Sequence, residues 1–281
     1  MKLGYYPGCS LTGSSREYNE SVQAICKAFD IELVEINDWN CCGATAAHNL
    51  NKNLSLSLPA RILALAEAQG LEKILVPCAA CYSRLSVTQH ELNHDNILKS
   101  EISNILEMPV NGSSRIMNVL EMLNEYVVDR IDQKLEKPFS KKVACYYGCL
   151  LVRPHKVLKF DRLEDPQVMD TIMSKIGASP IDWSFKTECC GAGFSVSRTD
   201  VVARLSGEIM RDVTERQAET IVVACPMCHS NLDMRRPEID KHNNTRSTTP
   251  ILYITQAIGL AIGLSKEELG LQRHFVPVTV N

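Results

Sequence analysis

Three cysteine patterns occur twice in this chain, in the same order, and that duplication constrains the fold more than any other feature. A lone cysteine ends an apolar run (Cys9, Cys149). An adjacent pair with glycine next follows (Cys41-Cys42-Gly43, Cys189-Cys190-Gly191). A C-x-x-C closes each series (Cys78/Cys81, Cys225/Cys228). The copies are offset by 140, 148 and 147 residues, counted from Cys9, Cys41 and Cys78. The flanks match too: KLGYYPGC with KKVACYYGC, NDWNCCGAT with WSFKTECCGAG, and EKILVPCAACYSRL with ETIVVACPMCHSNL. One insertion of about eight residues within 153–165 absorbs most of the difference in spacing, so an internal duplication is the simplest account. The boundary falls near residue 138, giving halves of 1–138 and 139–281.

Each half alternates strand-like and helix-like segments. LGYYPGC reads as a short strand ending at Cys9, followed by a helix over 15–29 whose face carries Val22, Ile25, Cys26 and Phe29. IELVEI (31–36) reads as a strand, 54–69 as a helix ended by Gly70, and LEKILVPC as a buried strand ending at Cys78. A long amphipathic helix is expected over 113–135, stopped by Pro138, and an apolar helix over 251–264. The tail from 266 onward is polar and uninformative. Strands alternating with helices give an α/β class: two pseudo-symmetric halves, each a small parallel sheet flanked by helices.

In such sheets ligands gather beyond the carboxyl ends of the strands. Cys9, Cys78, Cys149 and Cys225 each fall at a predicted strand end. Each half is therefore expected to gather five thiols in one crevice. Cys26 belongs to a helical core face and Cys145 to a strand, outside both sets. Soft thiolates select zinc, copper(I) or iron–sulfur clusters. Zinc and an ordinary cubane take four ligands. The fifth cysteine and the adjacent pair favour iron–sulfur. Either one thiol per set is left for chemistry, or the cluster is not an ordinary cubane.

Bulk properties exclude several other classes. A net charge of −3 gives no basic field for nucleic acid or an anionic membrane. The start, MKLGYYPGCS, has no apolar core of a secretion signal, and the 14-residue run 251–264 is shorter than the roughly 20 residues a membrane span needs. Twelve cysteines with no such signal point to a reducing, cytoplasmic setting, where paired cysteines bind metal or do chemistry rather than form a disulfide scaffold.

At these residues the chain resembles the CCG-domain family, whose signature is a cysteine, a spacer of thirty-odd residues, CCG, a similar spacer and C-x-x-C. With two complete copies and the YYPGC, NCCGA, VPCAAC, YYGCLLVRP and ECCGAG segments, it is similar to the B-type subunits of heterodisulfide reductase. The resemblance implies two non-cubane [4Fe-4S] clusters. One would be held by Cys9, Cys41, Cys42, Cys78 and Cys81, the other by Cys149, Cys189, Cys190, Cys225 and Cys228. It implies reversible two-electron reduction of a disulfide bound between them, each cluster supplying one electron and capturing one sulfur. It also implies two partners from the heterodisulfide reductase complex, a flavoprotein of the A type and a small ferredoxin-like protein of the C type. The family's thiol substrates are anionic, which draws attention to Arg84, Arg153 and Arg198 as substrate-binding candidates. His229 and His155 are the candidates for proton delivery to a departing thiolate.

Other readings remain open. CCG subunits also occur as electron-transfer modules in complexes that oxidise lactate, glycolate or succinate. Heterodisulfide-reductase-like subunits serve sulfur oxidation, and a structural zinc protein is the plainest alternative.

Overall fold

In the computed structural model, which describes residues 1–44 and 46–279, the duplication is visible strand by strand. The N-terminal strands are β1 (Lys2–Tyr5), β2 (Glu32–Glu35), β3 (Lys73–Leu75) and β4 (Arg115–Met117). The C-terminal strands are β5 (Lys142–Tyr146), β6 (Ser179–Pro180), β7 (Thr220–Val223) and β8 (Ile251–Tyr253). All pairs are parallel, and the two sheets run β2-β1-β3-β4 and β6-β5-β7-β8. The protein is α/β, with two four-stranded parallel sheets flanked by helices. In each sheet the chain direction across the sheet reverses between the first and third strands, which makes the gap beyond their carboxyl ends the natural binding crevice.

Each sheet's last strand leads into a helix that packs on the other half. Val119–Tyr126 follows β4 and lies against Val168–Lys175, while Ile254–Ala261 follows β8 and lies against Arg16–Ala28. At the second contact Ser21 Oγ and Thr255 Oγ1 are 2.7 Å apart and fully buried. One apolar core runs through both halves, from Leu3 and Val22 to Val223 and Ile258.

Three sequence expectations change. The helix expected over 113–135 is a strand, a short helix and a 3₁₀ turn (Val128–Gln133). Ile74↔Ile116 and Leu75↔Met117 pair in the sheet. Asn118 then starts the helix with a capping box: its Oδ1 accepts from Leu120 N and Glu121 N, and Glu121 Oε2 accepts from Asn118 N. Ile116, Val119 and Leu120 share a helical spacing by coincidence, since the first of them is in the sheet. Likewise 251–264 opens as β8, paired Ile221↔Ile251 and Val223↔Tyr253, before the helix begins at Ile254.

The tail is not inert either. Leu269 and Leu271 are buried, Gln256 Nε2 donates to Leu269 O, and Asp233 accepts from Phe275 N and Val276 N. Val280 and Asn281 of that tail lie outside the described residues.

Candidate metal centres

The two sets of thiols assemble at the carboxyl ends of the strands. β1 stops at Tyr5, earlier than the sequence suggested, and Cys9 sits one residue into the short helix Gly8–Thr12. Cys78 and Cys225 are the N-caps of Ala79–His94 and Pro226–Asp233, which puts Cys81 and Cys228 in the first turns. The CCG segments follow β2 and β6. Their placement is fixed by a pair of tyrosines that recurs with the repeat: Tyr6 OH donates to Asn40 O at 2.8 Å and Tyr146 OH to Glu188 O at 2.7 Å. Each bond pins the peptide just before an adjacent cysteine pair. Trp39 packs edge-on to Tyr6, and Trp183 lies beside Tyr146.

All twelve cysteines are free thiols. In the N-terminal set, Cys9 Sγ is 4.0 Å from Cys41 Sγ and Cys42 Sγ is 3.1 Å from Cys81 Sγ, with Cys41–Cys42 and Cys78–Cys81 contacts completing the chain. In the C-terminal set, Cys190 Sγ is 3.7 Å from Cys228 Sγ, Cys228 touches Cys225, and Cys149 touches Cys189. Cys26 (1% exposed) and Cys145 (0%) lie apart, packed in the core. Burial pushes the Cys26 thiol up to about 12 and raises Cys145 well above the usual range. Both stay protonated and inert.

The electrostatics within the sets differ from this. The Cys41 thiol, then Cys81, the Ala44 N–H and Arg84 drive Cys42 down to about 3. The Cys149 thiol and the N–H groups of Gly191 and Ala192 lower Cys189 to about 6. Cys228 and the N–H groups of Cys228, Met227 and Ala79 lower Cys225 to about 7. Their neighbours Cys41, Cys81, Cys149 and Cys228 are pushed up in return. Thiolate is the form that binds metal.

Glycines clear the space. Gly8 and Gly148, with φ +63° and +67°, face Cys81 Sγ and Cys228 Sγ, where an added Cβ would lie 3.3 and 2.8 Å from sulfur. Gly43 N and Gly191 N point at Cys41 Sγ and Cys189 Sγ, at 3.5 and 3.3 Å. Five convergent thiols, backbone donors aimed at sulfur and side-chain-free approaches fit an iron–sulfur cluster in each half.

The candidates around the cysteines separate by position. Arg84, half-buried, acts on Cys42, and its neighbour Ser83 donates from Oγ to Arg153 O across the halves at 3.3 Å. Arg153 and His155 are exposed. Arg198 is exposed and paired with Asp200 at 2.7 Å. His229 is buried at 4% exposure, stacked on Tyr253, with Nε2 on Ile251 O at 3.2 Å, and burial lowers its pKa well below 6.5.

His229, Asp233 and His274 converge closely enough to suggest a small metal site. Gln256 argues against one. Its Oε1 accepts from Tyr253 N and its Nε2 donates to Leu269 O, which fixes the amide. Its Nε2 then donates to His274 Nε2 at 2.9 Å. The assigned tautomer of His274 thus carries its proton on Nδ1, which leaves no lone pair for a metal.

Sequence reasoning missed several contributors. Asn231 Nδ2 donates to Cys190 O at 3.0 Å and faces Cys190 Sγ at 3.6 Å. It stands where the first repeat has Arg84, so the same position supplies a donor or a charge to the second cysteine of each pair. Lys186, 3% exposed, binds Asp165 at 2.8 Å and Asp170 at 3.1 Å, and its carbonyl accepts from Tyr147 N and Gly148 N. Tyr147 OH donates to Asp170 Oδ2 at 2.7 Å.

Lys186→Met leaves the Asp170 carboxylate buried without a cation, which is expected to cost about 3–5 kcal/mol in urea unfolding. Burial already raises the Asp170 pKa, and removing the cation raises it further. The folded variant then binds a proton more readily than the unfolded chain. Its deficit should shrink as pH falls through that folded pKa and be largest above it. A deficit independent of pH would show that the carboxylate is not its source.

The CCG family, described as a cysteine-rich domain, matches residues 3–86 and 143–233. The chain is similar to the 8-methylmenaquinol:fumarate reductase membrane anchor subunit of Wolinella succinogenes, at 31% identity over 99% of this chain and 98% of that one. It is also similar to the B-type subunit of the ferredoxin/F420H2-dependent CoB-CoM heterodisulfide reductase of Methanosarcina acetivorans, at 27% identity over 98% and 94%. Among solved structures, a hypothetical protein from Helicobacter pylori superposes with a TM-score of 0.81 at 14% identity. It covers 99% of this chain, which spans about half of its own length (52%), and the likeness speaks to fold alone. Among the described residues no helix is long and apolar enough to cross a membrane. The twice-repeated match and the near-complete alignments lead to one conclusion: this chain belongs to the CCG cysteine-rich-domain family, among relatives that include the B-type subunits of heterodisulfide reductase.

Proposed function

We propose that this chain is the iron–sulfur subunit of an oxidoreductase complex, with a non-cubane [4Fe-4S] cluster in each half, and that it reduces a small disulfide reversibly by two electrons. The observation that carries this reading is the presence of two five-thiol sets, with close sulfur pairs within each and each reaching the surface through Cys9, Cys41 or Cys189. Clusters held by these two cysteine sets would supply one electron each and bind the two sulfurs of the cleaved disulfide. The protein's own contribution is to hold the thiolates, by the N–H groups around Cys42, Cys189 and Cys225. Arg84, beside Ser83, and Arg153, whose carbonyl accepts from Ser83 Oγ and whose guanidinium pairs with exposed Glu164, are the candidates for the anionic end of a thiol substrate. His155 is exposed and is the candidate for proton delivery, whereas His229 is enclosed by Tyr253 and His274. The partners are an A-type flavoprotein and a C-type ferredoxin-like protein, as in heterodisulfide reductase complexes.

A second reading is favoured by the 31% identity to the fumarate reductase relative: an electron relay in a complex that acts on a dicarboxylate. Anaerobic EPR of the oxidised protein, titrated with a panel of thiols and separately with a menaquinol, distinguishes the two. A new paramagnetic signal specific to one thiol is expected. Silence with every thiol, together with reduction by the quinol, would move the assignment to the relay.

A further inference from the structure

Two backbone carbonyls stand at equivalent places in the repeats, Pro77 O just before Cys78 and Ala224 O just before Cys225, 147 residues apart. One hydroxyl serves both. That of Tyr18 lies 3.4 Å from Pro77 O and 3.3 Å from Ala224 O, and the side chain is fully buried. Near-equal distances to equivalent atoms place this hydroxyl midway between the halves. Two carbonyl oxygens that touch one hydroxyl can be no farther apart than those two distances allow, so the two C-x-x-C loops are clasped side by side. Tyr18 lies in Arg16–Ala28, and the corresponding helix of the second half, Val168–Lys175, has no tyrosine. The clasp is thus a single side chain and not a repeated one.

The same helix face fixes Tyr18 against the C-terminal half. Its ring stacks on Tyr253 with 4.0 Å between centroids. Tyr253 OH donates to Glu17 Oε1 at 3.3 Å, and Ser21 Oγ and Thr255 Oγ1 are 2.7 Å apart. Tyr18, Ser21, Tyr253 and Thr255 are all 0% exposed, so water does not compete for these contacts. The ring has no room to swing, and its hydroxyl stays where both carbonyls can use it.

We propose that Tyr18 is a positioning residue that sets the separation of the two cysteine sets, so that one disulfide reaches both. The inference rests on the reading of an iron–sulfur centre in each half. The two sulfurs of a disulfide are about 2.05 Å apart, and each must meet a different centre. The spacing between the centres is therefore as much a part of the site as their ligands. Cys78 and Cys225 directly follow the clasped carbonyls and cap the helices that carry Cys81 and Cys228. Moving one loop moves two thiols of its set. Without the hydroxyl, two buried carbonyls face each other with no donor between them, and relieving that draws the loops apart. Tyr18 acts through the two loops and not on the substrate.

Tyr18→Phe in the full chain, with its centres assembled, removes the hydroxyl and keeps the stacked ring. Tyr253→Phe is the matched control, losing a buried hydroxyl that bonds to Glu17 and not to a cysteine loop. Pulsed EPR with both centres paramagnetic reads the dipolar coupling between them. It counts only molecules that hold both, so partial loss of iron does not hide the result. Tyr18→Phe should weaken the coupling, and Tyr253→Phe should leave it unchanged. With the CoB-CoM heterodisulfide as the probe, kcat should fall about 10- to 100-fold in Tyr18→Phe, while one-electron reduction of the centres by reduced methyl viologen keeps its rate. Coupling unmoved in Tyr18→Phe, or weakened equally in Tyr253→Phe, would overturn the proposal. So would weakened coupling with an unchanged kcat, or loss of all iron in Tyr18→Phe alone, which would make Tyr18 a folding residue. A wild-type protein with no iron–sulfur signal refutes the two-centre reading itself, on which the role of the clasp rests.

Discussion

Cys190→Ala should leave the protein folded with about half its iron and acid-labile sulfide, the N-terminal centre intact and the two-electron reaction abolished. Cys190 is 2% exposed, 3.7 Å from Cys228 Sγ, and is served by two side chains: Asn231 donates to its carbonyl and faces its sulfur, and Ser206 Oγ donates to its carbonyl. Truncation removes the sulfur's contacts with Cys228 and Asn231, and both carbonyl bonds survive. No strand pairing involves residue 190. The fold has little reason to fail, so the loss reports on metal. Cys145→Ala is the matched control. It removes a sulfur that is more deeply buried, in β5 opposite Val222, yet the iron content should be unchanged. Unchanged iron in Cys190→Ala would remove Cys190 from the ligand set. Loss of all iron would show that neither half assembles alone.

Much of this architecture was legible because it rests on short-range chemistry written twice. The cysteine spacings place thiols at strand ends, and strand ends are where a parallel sheet collects ligands. The exclusion of Cys26 followed from helical patterning and that of Cys145 from aligning the two repeats, which matches Cys9 with Cys149; both residues lie in the core. The failures share one physical origin: the deciding partner is remote in sequence. Ile116 reads as a helix residue until Ile74 is there to pair with it. Tyr18 looks like one more aromatic on an amphipathic helix, and its meaning comes from carbonyls 59 and 206 residues away. Leu269 seems part of a polar tail until Gln256 binds its carbonyl. Asn231 and Lys186 had no motif to announce them. Tyr6 and Tyr146 did leave a signal, the repeated YY before each lone cysteine, which the ligand-centred reading passed over.

The glycines make the sharpest test of how closely the chain approaches its metal. Gly148→Ala should deplete the C-terminal centre, with iron falling toward half, while Gly8→Ala at the matching position of the first repeat has a milder effect. Both residues have positive φ, +67° and +63°, so alanine carries a backbone penalty of roughly 1–2 kcal/mol in either place. That shared cost cannot separate them. Sulfur distance can. A Cβ on residue 148 would stand 2.8 Å from Cys228 Sγ, whereas on residue 8 it would stand 3.3 Å from Cys81 Sγ. Cys228 is buried in the first turn of its helix and its sulfur already touches Cys190 and Cys225, so it has nowhere to yield. Metal–ligand distances tolerate only about 0.2 Å, and relieving a 2.8 Å contact requires more than that. At 3.3 Å a shift of a few tenths suffices, and the N-terminal centre should survive with a perturbed EPR spectrum. Gly193→Ala, with nothing within 4 Å of its added Cβ, provides the control on the same CCG loop and should keep full iron. Equal losses in Gly8→Ala and Gly148→Ala would assign the effect to backbone strain and not to the approach of the glycine to sulfur.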